Sequence, residues 1–159
     1  MARRKFTTEA EALAAVSQDY TAIAYLPENF KTAKVCLEAV RQDGSALAFV
    51  PENLKTAEFC LEAVRQNGGA IAYVPENLRT AEVCFEALRR DSYTLDFVQE
   101  ELRTAEVCLE AVRQNVNALK SVLESLKTAE LCFEAVKNTR SALQFLPKEL
   151  REEIEGKVM

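Results

Sequence analysis

The chain has 159 residues, 48% of them hydrophobic, with 20 Lys and Arg against 25 Asp and Glu and a formal net charge of -5. This length and composition suit one globular domain with a buried core. The negative charge disfavours nucleic acid and anionic membranes as partners. The sequence contains no run of about 18 apolar residues, the length that a membrane-spanning helix needs. The chain has no His, which removes the commonest general base and metal ligand.

The N-terminal segment is basic, but Glu9 and Glu11 stand where a signal peptide would need apolar residues. We therefore expect no export signal and a cytoplasmic protein. Glu11 also replaces an apolar residue that recurs at this position further along the chain, and the C-terminal segment 152–155 is strongly polar. Both features are typical of end caps, which keep a repeat array from extending.

Cysteine positions reveal an internal repeat, because Cys occurs only at 36, 60, 84, 108 and 132, always 24 residues apart. Such spacing is the signature of repeat proteins, in which each unit buries its apolar face against the next. The sequence predicts a single all-α domain over 1–159, an α-solenoid of about six helix-turn-helix repeats forming a superhelix. The expected parts are an N-terminal cap repeat at about 6–26, repeats at 27–50, 51–74, 75–98, 99–122 and 123–146, and a C-terminal cap at 147–159.

The first element of each repeat is predicted to be an amphipathic helix. In the second full copy, apolar residues recur at i, i+3, i+4 and i+7 between Ala57 and Val64. Thr56 suits the N-cap, so the helix runs from about Thr56 to Gln66. Asn67-Gly68 predicts an exit in the left-handed conformation.

The second element is a short apolar segment, Ala70 to Val74, which Pro75 ends because the residue before a proline avoids the helical region. Two interpretations remain open for the following Pro75–Leu78 segment. It forms a separate helical or 3₁₀ turn, or Pro75 begins a longer version of the next amphipathic helix.

The motifs Pro-Glu-Asn-Leu-Lys-Thr-Ala-Glu and Leu-Glu-Ala-Val-Arg-Gln-Asn-Gly, seen from Pro51 to Gly68, resemble a bacterial helical-repeat family catalogued as a domain of unknown function. The Pro-x-x-Leu element is more loosely similar to the leucine-rich repeat variant, a solenoid of alternating α and 3₁₀ helices. Gln99 and Leu123 replace the Pro, so we expect the turn geometry to shift in later repeats. The resemblance implies a superhelical scaffold and supplies no catalytic residues.

The cysteines are expected in the core, near the centre of each apolar helix face. Neighbouring packed helices lie about 8–10 Å apart, whereas a disulfide needs Cα atoms within about 7 Å, so bridges between repeats are not expected. Zinc sites usually use closely spaced Cys pairs, which are missing here. Acidic residues repeat in every unit, whereas catalysis needs one desolvated environment. We therefore predict no enzyme, no cofactor and no metal.

Two pairs of charged columns follow the same register. We expect Glu38 and its equivalents to form ion pairs with basic residues three positions later, on a solvated outer helix face. A second basic column is accompanied by Glu three positions earlier, which neutralises it and argues against nucleic acid. Its members are Lys31, Lys55, Arg79, Arg103 and Lys127.

An aromatic column comprises Tyr25, Phe49, Tyr73, Phe97 and Phe145. Its spacing favours a place in the core, and the alternative is that the tyrosine hydroxyls reach the edge of a groove.

Positions that differ between repeats indicate where a partner would bind, since stacking fixes the others. These positions lie on the turn and on the short second element, whose small residues suggest the concave face. We predict that a protein or peptide binds there to a monomeric scaffold. The alternatives are that these positions vary by sequence drift without selection, or that the chain is a self-assembly module. The site would be centred on Tyr73, Ser92, Tyr93, Asp96, Asn117 and Lys120.

Overall fold

The helices of this chain follow one another with the spacing of the sequence repeat. The structure is a computed structural model that describes residues 6–158, without the side chains of Ser92 and Val158. Over these residues it contains α-helices and 3₁₀ helices and no β-strand. The residues group into two compact units, Met1–Arg90 and Asp91–Met159.

The first unit holds α1 to α4, separated by 3₁₀ helices. The α-helices are α1 Glu9–Gln18, α2 Ala33–Gln42, α3 Ala57–Gln66 and α4 Ala81–Arg90. After each of the first three comes a six-residue 3₁₀ helix, at Tyr20–Tyr25, Gly44–Phe49 and Gly68–Tyr73. A three-residue 3₁₀ turn then leads into the next α-helix, at Glu28–Phe30, Glu52–Leu54 and Glu76–Leu78.

The second unit continues the same order with α5 Ala105–Gln114, α6 Ala129–Asn138 and α7 Lys148–Val158. Its longer 3₁₀ helices are Ser92–Phe97, Val116–Lys120 and Arg140–Phe145, and its three-residue turns are Glu100–Leu102 and Glu124–Leu126. Within each unit, neighbouring α-helices pack side by side, and so do the longer 3₁₀ helices. The predicted all-α fold of 24-residue repeats, stacked as in an α-solenoid, is confirmed.

A threonine side chain begins nearly every α-helix. Thr56 accepts a hydrogen bond from the backbone N–H of Phe59 at 3.3 Å, which satisfies one of the unpaired donors in the first turn. Thr8, Thr32, Thr80, Thr104 and Thr128 do the same for their own helices. The predicted helix from about Thr56 to Gln66 is therefore confirmed, with Thr56 as its cap.

The predicted left-handed exit at Asn67-Gly68 is wrong. Asn67 is extended, with φ -147 and ψ 112, and no described residue has a positive φ. The backbone N–H of Asn67 donates to Ala63 at the end of α3, while its side chain accepts from the N–H of Gly69 at 3.0 Å. One polar residue thus ends the α-helix and caps the 3₁₀ helix, so no left-handed turn is needed.

Glycine at position 44 provides space between two repeats. A Cβ atom built on Gly44 would lie 2.0 Å from the carbonyl oxygen of Ala63, in the last turn of α3. No side chain fits there, because the contact is with backbone that cannot rotate away. Gly44 therefore permits the close stacking of its 3₁₀ helix against the next α-helix.

The open question about Pro75 is resolved in favour of a separate turn. Pro75 precedes the 3₁₀ turn Glu76–Leu78, and α4 begins at Ala81. The expected shift in geometry where Pro is replaced is wrong: Gln99 has φ -59 and ψ 147, against φ -54 and ψ 140 for Pro75. Any residue can adopt this extended conformation, and proline only fixes its φ in advance.

The core of each unit lies between the α-helices and the longer 3₁₀ helices. From the α-helices it takes residues such as Cys60, Ala63 and Val64, and from the 3₁₀ helices residues such as Ile71, all fully buried. All five cysteines are buried and unpaired, as predicted. Burying these apolar side chains supplies the main stabilising free energy of the stack.

Both ends of the described chain carry polar groups. The Glu11 carboxylate accepts hydrogen bonds from the backbone N–H and the hydroxyl of Thr7, the residue before the N-cap Thr8, at 2.8 and 2.9 Å. In α7, Ile154 is buried while Glu152, Glu153 and Glu155 are exposed. Within residues 6–158, no helix is long and apolar enough to cross a membrane.

Candidate functional site

The longer 3₁₀ helices present their C-terminal residues to solvent. In Gly68–Tyr73, Ala70 and Ile71 are buried, whereas Ala72 and Tyr73 are exposed. The same division separates Leu47 from Ala48 and Phe49 in the preceding repeat. Because these helices pack side by side, their C-terminal ends form an exposed row in the first unit. We call this row, which ends each helix at Tyr25, Phe49 and Tyr73, the 3₁₀ face.

The aromatic column is exposed, so the interpretation that places it in the core is wrong. In the first unit the exposed fractions are 82% for Tyr25, 41% for Phe49 and 44% for Tyr73. In the second unit, Phe97 is exposed and Phe145 is half-buried. A buried residue lies two positions before four of these aromatic residues, as Ile71 does before Tyr73, and it already fills the space towards the α-helices.

The predicted site residues are divided between the two units. Tyr73 belongs to the first unit. Tyr93, Asp96 and Lys120 are exposed in the second unit, Tyr93 to 63%, and Asn117 there is half-buried. The side chain of Ser92 lies outside the described part of the chain. Tyr93 and Asn117 occupy equivalent positions on adjacent 3₁₀ helices, as do Asp96 and Lys120.

One contact in the second unit shows what the aromatic rings can bind. The ammonium of Lys120 lies over the ring of Phe145, 4.9 Å from its centroid. A cation at this distance is attracted by the negative face of the ring. Sequence reasoning missed this contact, because it joins a residue of one variable column to the aromatic column of the next repeat.

The basic column that includes Lys55 serves the backbone. Lys55 Nζ lies 2.6 Å from Glu52 Oε1 and 3.3 Å from the carbonyl oxygen of Tyr73, and its side chain is only 8% exposed. Arg103 reaches carbonyl oxygens in the same way, at Val98 (2.8 Å) and Ser121 (3.4 Å). Positive charge at the last carbonyls of a helix is favourable. The cations of Lys55 and Arg103 therefore lie at helix ends.

The column of glutamates that includes Glu38 forms fewer ion pairs than the sequence predicts. Within residues 6–158, the glutamate of this column that forms an ion pair with the basic residue three positions later is Glu86, which pairs with Arg89 at 3.5 Å. In three other repeats the glutamine four positions later donates to the carboxylate instead, for example from Gln66 to Glu62 at 3.2 Å. The shorter amide reaches the carboxylate along the helix, and Arg65 extends into solvent.

The buried thiols are in surroundings that make them unreactive. Burial raises the pKa of all five cysteine thiols, that of Cys36 to about 11. The thiolate is the reactive and metal-binding form, so a raised pKa suppresses both properties at neutral pH. No group of three or more His, Cys, Asp or Glu side chains suited to a metal ion occurs among the residues that the structure describes.

Asp43 is held in its charged form at the junction of two repeats. Hydrogen bonds from the Ser45 side chain, chiefly, and from the Ser45 backbone and the Asn67 side chain lower its pKa, although partial burial acts in the opposite direction. The Asn67 amide belongs to the next repeat. Asp43 therefore caps its own 3₁₀ helix and joins it to its neighbour.

Neither the curated proteins nor the solved structures contain a match to this chain. The family model "Domain of unknown function (DUF4116)" matches five overlapping segments, at residues 12–55, 33–79, 57–103, 80–127 and 104–151. Successive matches advance by about one structural repeat, and together they cover most of the chain. This chain therefore belongs to the DUF4116 family of helical repeats.

Proposed function

We propose that this protein is a non-catalytic repeat scaffold that binds a protein or peptide through the exposed ends of its longer 3₁₀ helices. The observation that carries the proposal is the exposure of the aromatic column. Tyr25, Phe49 and Tyr73 lie on successive repeats at the surface, although the residue two positions earlier in each helix is buried. Exposed aromatic side chains are common anchors of protein interfaces.

In the second unit the proposed contacts are Tyr93, Asp96, Asn117 and Lys120. They combine an exposed aromatic ring, both signs of charge and an amide on two adjacent 3₁₀ helices. Such a mixture suits a partner with polar as well as apolar side chains. Tyr73, and Ser92 as the sequence places it, would extend the contact surface in their own units.

The non-catalytic part of the proposal rests on the chemistry of the repeats. Their carboxylates recur in equivalent surroundings, and their thiols are buried and protonated. Five unpaired cysteines also suit a reducing compartment such as the cytoplasm.

Peptide display tests the proposal. The full chain is immobilised, peptides are selected from a random library, and their dissociation constants are measured by fluorescence anisotropy. Selected peptides should bind, and replacing Tyr93, Asp96 and Lys120 together by Ala should weaken those that use the second unit by about tenfold or more. The matched control replaces Glu106, Glu130 and Lys137, exposed on the α-helices of that unit. Failure to select any peptide would contradict the proposal.

The alternative is a self-assembly module without a separate ligand. Light scattering over a range of concentrations distinguishes the two functions. A scaffold of the proposed kind stays monomeric, whereas an assembly module grows with concentration. The polar ends, with Glu11 bound to Thr7 and three exposed glutamates in α7, favour the scaffold.

A further inference from the structure

The contact between Lys120 and Phe145 has an incomplete counterpart in the first unit. Lys120 and the ring that it covers, Phe145, occupy fixed positions in the 24-residue repeat. In the first unit the position of Lys120 is occupied by Ala24 before Phe49 and by Ala48 before Tyr73. The ring is thus kept while the residue that supplies the cation is replaced by alanine. Alanine leaves the ring open, and Phe49 and Tyr73 are 41% and 44% exposed.

A carboxylate lies beside this open aromatic surface. Glu52 and the carbonyl oxygen of Tyr73 contact the same ammonium, that of Lys55, at 2.6 and 3.3 Å. The lysine side chain is 8% exposed and the glutamate side chain 74% exposed, so a partner meets the acid and not the base. Glu28 and Lys31 repeat the arrangement one repeat earlier, at 2.7 Å with exposures of 75% and 11%.

Rings without an internal cation and outward-facing carboxylates both attract positive charge. The spacing also suits an extended chain. Packed helices lie about 8–10 Å apart, and three residues of extended backbone span about 10 Å. A segment with a basic residue at every third position would therefore offer one cation to each repeat.

We infer that the 3₁₀ face of the first unit binds an extended, Lys- or Arg-containing segment of a partner protein. Its cations lie over the rings of Phe49 and Tyr73 and next to the carboxylates of Glu28 and Glu52. The inference rests on the proposed scaffold function and adds the chemistry of the partner. Lys120 fills the equivalent place in the second unit, so that ring already has its cation.

The test uses a labelled 12-residue peptide with Lys at every third position among Ala and Ser, and a matched peptide with Gln at each Lys. Binding to the full chain is measured by fluorescence anisotropy. The Lys peptide should bind at least about tenfold more tightly than the Gln peptide. Its affinity should fall as salt is added, because exposed charges are screened.

Two protein variants locate the binding. Replacing Phe49 and Tyr73 by Ala should weaken the Lys peptide by about tenfold, at unchanged helicity by circular dichroism. Ala48→Lys should weaken it too, because the new ammonium would cover Tyr73 as Lys120 covers Phe145. Ala48→Gln is the matched control and should leave binding unchanged. Equal affinity for the two peptides, or no effect of Ala48→Lys and of the double Ala variant, would overturn the inference.

These outcomes are distinguishable from failure of the scaffold function. The selected peptides could be acidic, or their binding could depend on Tyr93 and Lys120 but not on Phe49 and Tyr73. Either result would support the scaffold function and contradict the inference of a basic partner. A dimer in light scattering that the Phe49 and Tyr73 double variant abolishes would mean that a second copy supplies the contact, and it would overturn the inference in its present form.

Discussion

Lys55 Nζ donates a hydrogen bond to the carbonyl oxygen of Tyr73, 3.3 Å away at the end of the 3₁₀ helix that follows α3. The same ammonium forms an ion pair with Glu52 at 2.6 Å, in the turn that precedes α3. A single buried cation thus links the turn before α3 to the end of the 3₁₀ helix after it. The basic column therefore contributes to stacking.

Lys55→Ala should lower the free energy of unfolding by about 1–2 kcal/mol, since it removes a charged hydrogen bond and the packing of the side-chain stem. Chemical denaturation measures the change. Lys55→Arg should retain most of the stability, because Arg103 makes the equivalent bond to Ser121. Arg65→Ala, on the exposed side of α3, is the control and should change stability by less than about 0.5 kcal/mol. Equal effects of Lys55→Ala and Arg65→Ala would refute the linking role.

Gly44→Ala should destabilise the protein by about 2 kcal/mol or more, because the added Cβ would lie 2.0 Å from the backbone oxygen of Ala63. Thermal or urea denaturation gives the difference. Gly156→Ala is the matched control, since its Cβ would meet nothing within 4 Å. In α7 that substitution should be neutral or stabilising by up to about 1 kcal/mol. If Gly44→Ala were as stable as Gly156→Ala, the close approach would be disproved.

The five thiols should resist alkylation in the folded protein. They are buried, and burial raises their pKa, that of Cys36 to about 11, so they stay protonated at pH 8. Iodoacetamide followed by mass spectrometry should find no rapid modification under native conditions and five modified cysteines in guanidinium chloride. Rapid labelling of any one thiol in the native protein would show that its repeat is open at that point.

Asp43 should make stability depend on pH in the acid range. Its pKa is lowered in the folded state, chiefly by the Ser45 hydroxyl, so its contribution is present above the unfolded pKa. This contribution to the free energy of unfolding is lost as the pH falls below about 4, the unfolded pKa of Asp, and through the lower pKa of Asp43 in the folded state. Asp43→Asn should keep the cap, as Asn67 and Asn115 do naturally, and reduce the loss of stability between pH 5 and 3 relative to wild type. Urea denaturation at each pH measures it, and an unchanged acid dependence would show that Asp43 does not contribute.

The aromatic column marks the limit of inference from pattern. Tyr73 recurs at the same spacing as the buried Ile71, and both belong to a short apolar segment. In a six-residue 3₁₀ helix only one side can face the α-helices. Which residues that side contains depends on the cap at Asn67, which sets where the helix begins.

The sequence by itself determined the repeat, the α-helix of each repeat, its threonine cap and the burial of the thiols. These features follow from periodicity and from hydrogen bonds between residues a few positions apart, and such information is local. Tertiary structure decided the exposure of Tyr25, Phe49 and Tyr73, the role of Lys55 and the need for glycine at position 44. Each of these depends on which atoms the neighbouring helices place nearby, and that follows from how closely the elements stack.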